Sequence, residues 1–241
     1  MNRIRFGILQ TNHDKTVEVG DAFPDDAHRF RDLFDQQEQR FQYRIYMTIG
    51  GEVPVDLDEQ DVYMITGSPL SVLDTHVFTD GLMDFIRRCD AAKKPLFGAC
   101  FGHQAIALAL GGTVERSKQG YNVGVEETVF DKFKSWMTPQ HEKLPLYMFH
   151  EDAVTELPQD CVRLGSSRQC KIASFAKDEH IFTTQAHPEF SHEFMSCVLK
   201  FTESSIPAAQ AKSAWDSLSL PHRGDIYASW CANFFKQGID R

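Results

Sequence analysis

Short apolar runs alternate with amphipathic segments through the first half of this chain, and few architectures satisfy such an alternation. Ile4 to Gln10 reads as a first strand, and His13 to Asp26, polar and holding Gly20 and Pro24, as a loop. Phe30, Leu33, Phe34 and Phe41 recur at helical spacing and predict a helix over roughly 25–41. Tyr43 to Ile49 is β-rich and closes at Gly50-Gly51. Val62 to Thr66 is a buried strand running into Gly67-Ser68-Pro69. Leu82, Phe85, Ile86 and Cys89 mark a second helix. A further apolar strand, Pro95 to Ala99, then meets a helix that stops at Gly111-Gly112. The expected fold is α/β: an open, mainly parallel, flavodoxin-like sheet flanked by helices. Ligands of such sheets sit at the carboxyl ends of the strands, where both Gly67-Ser68-Pro69 and Cys100 fall.

The second half changes character. Thr113 to Arg116, Val123 to Phe130, Leu146 to Phe149, Val162 to Ser166, Ile172 to Ala176 and Ile181 to Gln185 are short β-rich runs. Turn residues separate them, which predicts an antiparallel β extension. A helix follows Phe190 and runs to about Phe201. After a polar stretch, Ile226, Tyr227, Trp230, Phe234 and Phe235 suggest a closing amphipathic helix. The whole chain, 1–241, is read as a single domain, with its core over about 4–201 and a helical tail over about 202–241.

The join at Gly98-Ala99-Cys100-Phe101-Gly102 carries the chemistry. A nucleophile on a sharp strand-to-helix turn sits in a strained backbone, and the residues two positions away must be small. The turn also places the sulfur at a helix amino end, where the dipole favours thiolate. A thiolate of this kind needs a base, a group to orient the base, and N–H donors for the oxyanion. His187 can be the base and Glu189 its orienter, since alternate residues of an extended segment share a face and Pro188 stiffens it. The Phe101 N–H and the backbone at Gly67-Ser68 are the candidate oxyanion donors. Cys100 read alone could be a packed thiol, and Glu189 could serve a helix start as well as an imidazole.

Gly98-Ala99-Cys100-Phe101-Gly102-His103-Gln104, Gly67-Ser68-Pro69-Leu70-Ser71-Val72 and His187-Pro188-Glu189, in that family's order, resemble the triad-type class I glutamine amidotransferases. Phe149-His150-Glu151-Asp152-Ala153-Val154 is similar to the family's His-x-Asp-x-Val segment, although here His150 and Asp152 are expected to organise a turn, and His103 to pack the helix start. The resemblance implies Cys100 as nucleophile, His187 as base and Glu189 as orienter, with Gly67, Ser68 and Phe101 at the oxyanion. It implies substrate contacts at Gln104 and at Gly120, Tyr121 and Asn122. The substrate would be glutamine or another γ-glutamyl compound, cleaved through a γ-glutamyl thioester with release of ammonia or an amine. No cofactor or metal is expected.

Two departures bear on the activity. The sequence holds no phosphate-cradling Gly-rich loop of the kind an ATP-pyrophosphatase module would bring, and Ser68 stands where GMP-synthase-like members usually have Gly. A stand-alone layout with Gly120-Tyr121-Asn122-Val123-Gly124-Val125 downstream is also similar to γ-glutamyl peptidases. The expectations are therefore three: a hydrolase of γ-glutamyl amides, the glutaminase subunit of a GMP-synthase-like pair feeding a separate synthetase, or a non-catalytic binding protein. Acidic residues outnumber basic ones, 34 to 25, for a net charge of −9, with no basic stripe to suit nucleic acid. No run approaches the roughly 20 apolar residues a membrane span needs. With no leader recognised and six cysteines showing no paired motif, a cytoplasmic protein with reduced thiols is expected; five of the six are read as small buried hydrophobes.

Overall fold

A computed structural model describes residues 3–239. Four parallel strands form first: β1 (Ile4–Leu9), β2 (Phe41–Tyr46), β3 (Val62–Ile65) and β4 (Leu96–Ala99). Helices α1 (Asp26–Phe34), α2 (Thr79–Ala91) and α3 (Phe101–Ala109) alternate with them. The second half supplies β5 (Thr113–Arg116), β6 (Asn122–Phe130), β7 (Lys143–His150), β8 (Asp152–Glu156), β9 (Cys161–Ser166), β10 (Ser174–Lys177) and β11 (Ile181–Thr184). Three helices close the chain: α4 (His192–Thr202), α5 (Ala208–Ser217) and α6 (Gly224–Ile239).

Nine strands make one mixed sheet in the order β2-β1-β3-β4-β11-β10-β9-β6-β7. The first five run parallel and the rest antiparallel, as the α/β reading with an antiparallel extension expected. β5 and β8 form a separate antiparallel pair.

The placement of β11 departs from expectation. Ile181 to Gln185 was expected among the antiparallel runs, but Ile181–Thr184 lies parallel beside β4, with Thr184 in register with Ala99. Its residues are all buried, as a strand covered on both faces requires. This insertion brings the residues after Thr184 to the carboxyl ends of the strands, beside Cys100.

The predicted helix over 25–41 also ends early, at Phe34. Phe41 opens β2 instead and meets Phe6 and Phe34 from the sheet, at ring separations of 5.2 and 6.1 Å. A core-facing strand residue thus mimics the helical period. β8 and α5 were not anticipated. Cys161 and Cys197 are only partly buried, so three of the five remaining thiols, not all five, are packed as expected; all six are free.

Each sheet face has its own core. One is aromatic and built from β1, α1 and α6, with Phe6, Phe34, Trp230 and Phe235 inside. The C-terminal aromatics are therefore buried core rather than an outward surface. The other packs α2 and α3 over Tyr63, Phe85, Phe101 and Ile106. A third cluster, under α4 and α5, contains Tyr147, Phe190 and Phe194 and walls one side of the site described next.

Candidate active site

Cys100 sits between β4 and α3 with φ 48° and ψ −103°, a backbone that L-residues avoid. The turn is held by its own hydrogen bonds. The Cys100 N–H donates to the Thr184 carbonyl at 2.8 Å, and the Gly102 N–H to the Thr66 carbonyl at 3.2 Å. Cys100 is 4% exposed, and its thiol lies 3.9 Å from the Phe149 carbonyl.

His187 arrives from the segment after β11. Its N–H donates to the Tyr147 carbonyl at 2.9 Å, which ties the segment to β7. His222 braces it from behind, 3.2 Å from the Pro188 carbonyl. The His187 Nδ1 bonds Glu189 Oε1 at 2.8 Å, with both side chains buried. That bond leaves Nε2 as the ring nitrogen for the sulfur. The closeness of the groups is visible at Gly67. A Cβ placed there would lie 2.9 Å from His187 Cε1 and 3.6 Å from Cys100 Cβ.

Burial works against charge on His187, but the Cys100 thiolate and the Glu189 carboxylate outweigh it and push the imidazole up to about 10. The sign follows from linkage. A histidine raised above its ordinary value of 6.5 contributes stability that is complete below that value and is lost as pH rises through about 10. In a hydrolase of the kind expected from the sequence, the imidazolium would also be the proton donor. An alkaline limb in kcat/KM with an apparent pKa near 10 is then expected from His187. A pH–rate profile checks it.

The Gly67-Ser68 loop, the candidate oxyanion site, is pinned from one side. The Ser68 hydroxyl donates to the Thr11 carbonyl at 2.9 Å, and the Thr11 hydroxyl to the Gly67 carbonyl at 3.0 Å. The N–H groups of Gly67, Ser68 and Phe101 donate to no protein acceptor among the described residues. Fixed, unspent donors of this kind suit a developing oxyanion.

A cavity of about 600 Å³ opens over Cys100 and His187. The Glutamine amidotransferase class-I family model matches residues 37–202. The chain belongs to the class-I glutamine amidotransferases. It is 29% identical to γ-glutamyl peptidase 3 of Arabidopsis thaliana over 213 residues, 83% of this chain and 84% of that protein. With γ-glutamyl peptidase 5 of the same plant it shares 28% over 245 residues, 96% of this chain and 95% of the relative. The crystal structure of a glutamine amidotransferase from Thermotoga maritima superposes with a TM-score of 0.75 at 17% identity, covering 100% of both chains.

Within this amidotransferase fold, the other expected contacts separate. Gln104 lines the cavity, but its amide nitrogen is committed to the Asp152 carbonyl at 2.8 Å and to Gln185 Oε1 at 3.2 Å. Its Oε1 is what remains for a ligand. Tyr121 also lines the cavity, whereas Gly120 and Asn122 are not among its walls. Asn122 is buried and bonds Glu126, His150 and Gln169. Burial pushes the His150 imidazole down to about 4, so it is neutral, its Nδ1–H donating to the Asp152 carbonyl at 2.9 Å. His103 is likewise pushed down, to about 3, by complete burial and bonds Thr183.

Phe190 escaped the sequence reading. It stacks on the His187 ring at 4.0 Å and 18°. Its position directly after Glu189 was the available signal. Among the described residues, no group of three or more His, Cys, Asp or Glu is placed to hold a metal, and no helix is long and apolar enough to cross a membrane.

Glu189→Gln should keep the fold of this segment and cost roughly 10²–10⁴ in kcat, because a carboxamide neither fixes the Nδ1–H tautomer nor stabilises imidazolium. The alkaline limb should move to lower pH with it. Steady-state assays of the purified variant across pH check both.

Proposed function

We propose that the protein is a cysteine hydrolase of γ-glutamyl amides, acting on glutamine or a γ-glutamyl compound. The Cys100 thiolate, its proton already held on His187, attacks the γ-carbonyl carbon. The N–H groups of Phe101 and of Gly67 or Ser68 receive the oxyanion. The C–N bond then breaks, and His187 Nε2–H gives its proton to the departing nitrogen. A γ-glutamyl thioester remains on Cys100. Water, deprotonated by His187, attacks it; the C–S bond breaks, freeing glutamate and restoring the Cys100 thiolate beside the protonated His187.

The observation that carries this reading is the strained Cys100, poised at the α3 amino end beside the buried His187–Glu189 pair. The γ-glutamyl peptidase relatives and a cavity of about 600 Å³ support a leaving group larger than ammonia. A release assay across glutamine, glutathione and γ-glutamyl dipeptides tests the proposal. Glutamate release from γ-glutamyl peptides by the isolated protein is expected. Turnover of glutamine alone, rising sharply with an added synthetase, would favour an amidotransferase subunit. No turnover of any of them would leave a binding protein.

A further inference from the structure

His222 lies in the turn between α5 and α6, and both of its ring nitrogens are engaged with backbone on either side of His187. Its Nδ1 accepts from the Tyr147 N–H at 3.3 Å, which leaves the ring proton on Nε2. That Nε2–H donates to the Pro188 carbonyl at 3.2 Å. Only a neutral imidazole in this one tautomer makes both bonds. Burial pushes the ring down to about 4, with His187 adding to the push and the Pro188 carbonyl and Asp225 opposing it, so His222 is neutral near pH 7.

The groups that His222 joins set the position of the His187 ring. Tyr147 spends its N–H on His222 and its carbonyl on the His187 N–H, the latter at 2.9 Å. Pro188, between His187 and Glu189, has no N–H, so its carbonyl is the one hydrogen-bonding group it has, and His222 holds it. The His222 ring also stacks on Tyr147 at 4.2 Å and 26°. β7 is the last strand of its sheet, and its outer edge is covered by the His187 segment and by the tail bearing His222. That tail is itself anchored, the Arg223 N–H donating to the Pro145 carbonyl at 2.9 Å. It passes so close that a Cβ on Gly224 would collide with the Pro188 carbonyl oxygen and lie 2.5 Å from His222 Nε2.

We propose that His222 is a positioning residue for the catalytic base: it clips the His187-Pro188-Glu189 segment to β7 and so keeps the His187 ring in reach of both Cys100 and Glu189. His222 is not among the walls of the Cys100 cavity, and it acts only through the backbone on either side of His187. What the positioned ring does in turnover rests on the hydrolase reading above; the pairing of that ring with the sulfur is readable without turnover.

The test pairs His222→Phe with His222→Gln. Phenylalanine keeps a ring to stack on Tyr147 and loses both hydrogen bonds. The glutamine amide restores an acceptor and a donor on either side of one carbon, as the imidazole has them. His222→Phe should lower kcat for glutamate release by about tenfold or more with KM within about twofold, because the base is displaced while the cavity is intact. Its alkaline limb should move to lower pH as His187 slackens from Cys100 and Glu189. His222→Gln should recover part of both effects. A second readout needs no substrate. At about pH 6, iodoacetamide should alkylate Cys100 of His222→Phe about tenfold more slowly than wild type, since the imidazolium that holds the sulfur anion is loosened. An unmoved limb and an unmoved alkylation rate overturn the assignment, even where kcat falls in step with the folded fraction. Should neither variant fold, ring-nitrogen NMR shifts of the wild type decide. Near pH 7 they should show the neutral Nε2–H form of His222, and an Nδ1–H form or an imidazolium overturns the assignment. Failure of the hydrolase reading looks different: wild type would release no glutamate in a Cys100-dependent reaction, and the alkylation comparison would still decide the role of His222.

Discussion

Cys100→Ser should reduce glutamate release by about 10⁴-fold or more while the protein remains folded. The proposed attack is made by a sulfur anion. The His187 imidazole is pushed up by the sulfur's negative charge, and an alkoxide is far harder to form. Cys100→Gly should be equally inactive yet melt higher than Cys100→Ser, which lacks the thiolate as well but keeps the strained Cβ. The wild-type residue holds φ 48° and ψ −103°, a conformation that costs of order 1–3 kcal/mol in a residue with a Cβ and much less in glycine. After the added chain entropy of glycine, a net gain of about 1 kcal/mol, or roughly 2–4 °C, is expected. Activity assays and thermal unfolding of both variants check this. A Cys100→Gly protein less stable than Cys100→Ser would mean the turn is not strained.

The second large effect is on stability. Gly102→Ala puts a Cβ 2.4 Å from the Ile65 carbonyl oxygen and 2.9 Å from Ile65 Cβ. Both belong to the end of β3, so relief requires α3 and the strand to move apart. Gly98 is held as tightly, its would-be Cβ lying 2.6 Å from the Gly102 backbone and from Ile106 Cδ1. Overpacking of this kind costs typically 1–3 kcal/mol, and contact with backbone leaves little room for relaxation. Gly102→Ala is therefore expected to lose about 3 kcal/mol, some 6–12 °C in Tm, with catalysis falling as the Cys100 turn shifts. Chemical denaturation measures it directly. A variant as stable as wild type would show that the close approach of β4, α3 and β3 is not required.

The strained turn at Cys100 was legible in the sequence because its constraints are local. A strained residue between a strand and a helix needs small neighbours two positions away, and Gly98 and Gly102 announce it. His187 and Glu189 were legible for a similar reason, being two residues apart in an extended segment. What brings them to Cys100 was not. The parallel pairing of Ile181–Thr184 with Leu96–Ala99 is a choice of partner between distant strands, and a short apolar run does not encode its neighbour. Phe41 deceived because a strand residue facing the same core fell on the helical period. His222 was invisible for a different reason. In the tail it looks like any loop histidine. Only Tyr147 and Pro188, brought beside it from far along the chain, give both of its ring nitrogens a partner.

Intact-protein and peptide mass spectrometry on reactions quenched during turnover of a γ-glutamyl dipeptide tests the covalent scheme most directly. A γ-glutamyl group should appear on the peptide containing Cys100, disappear as substrate is exhausted, and be absent from Cys100→Ser. Continued hydrolysis by Cys100→Ser, with no adduct on the wild-type cysteine at any time, would contradict it.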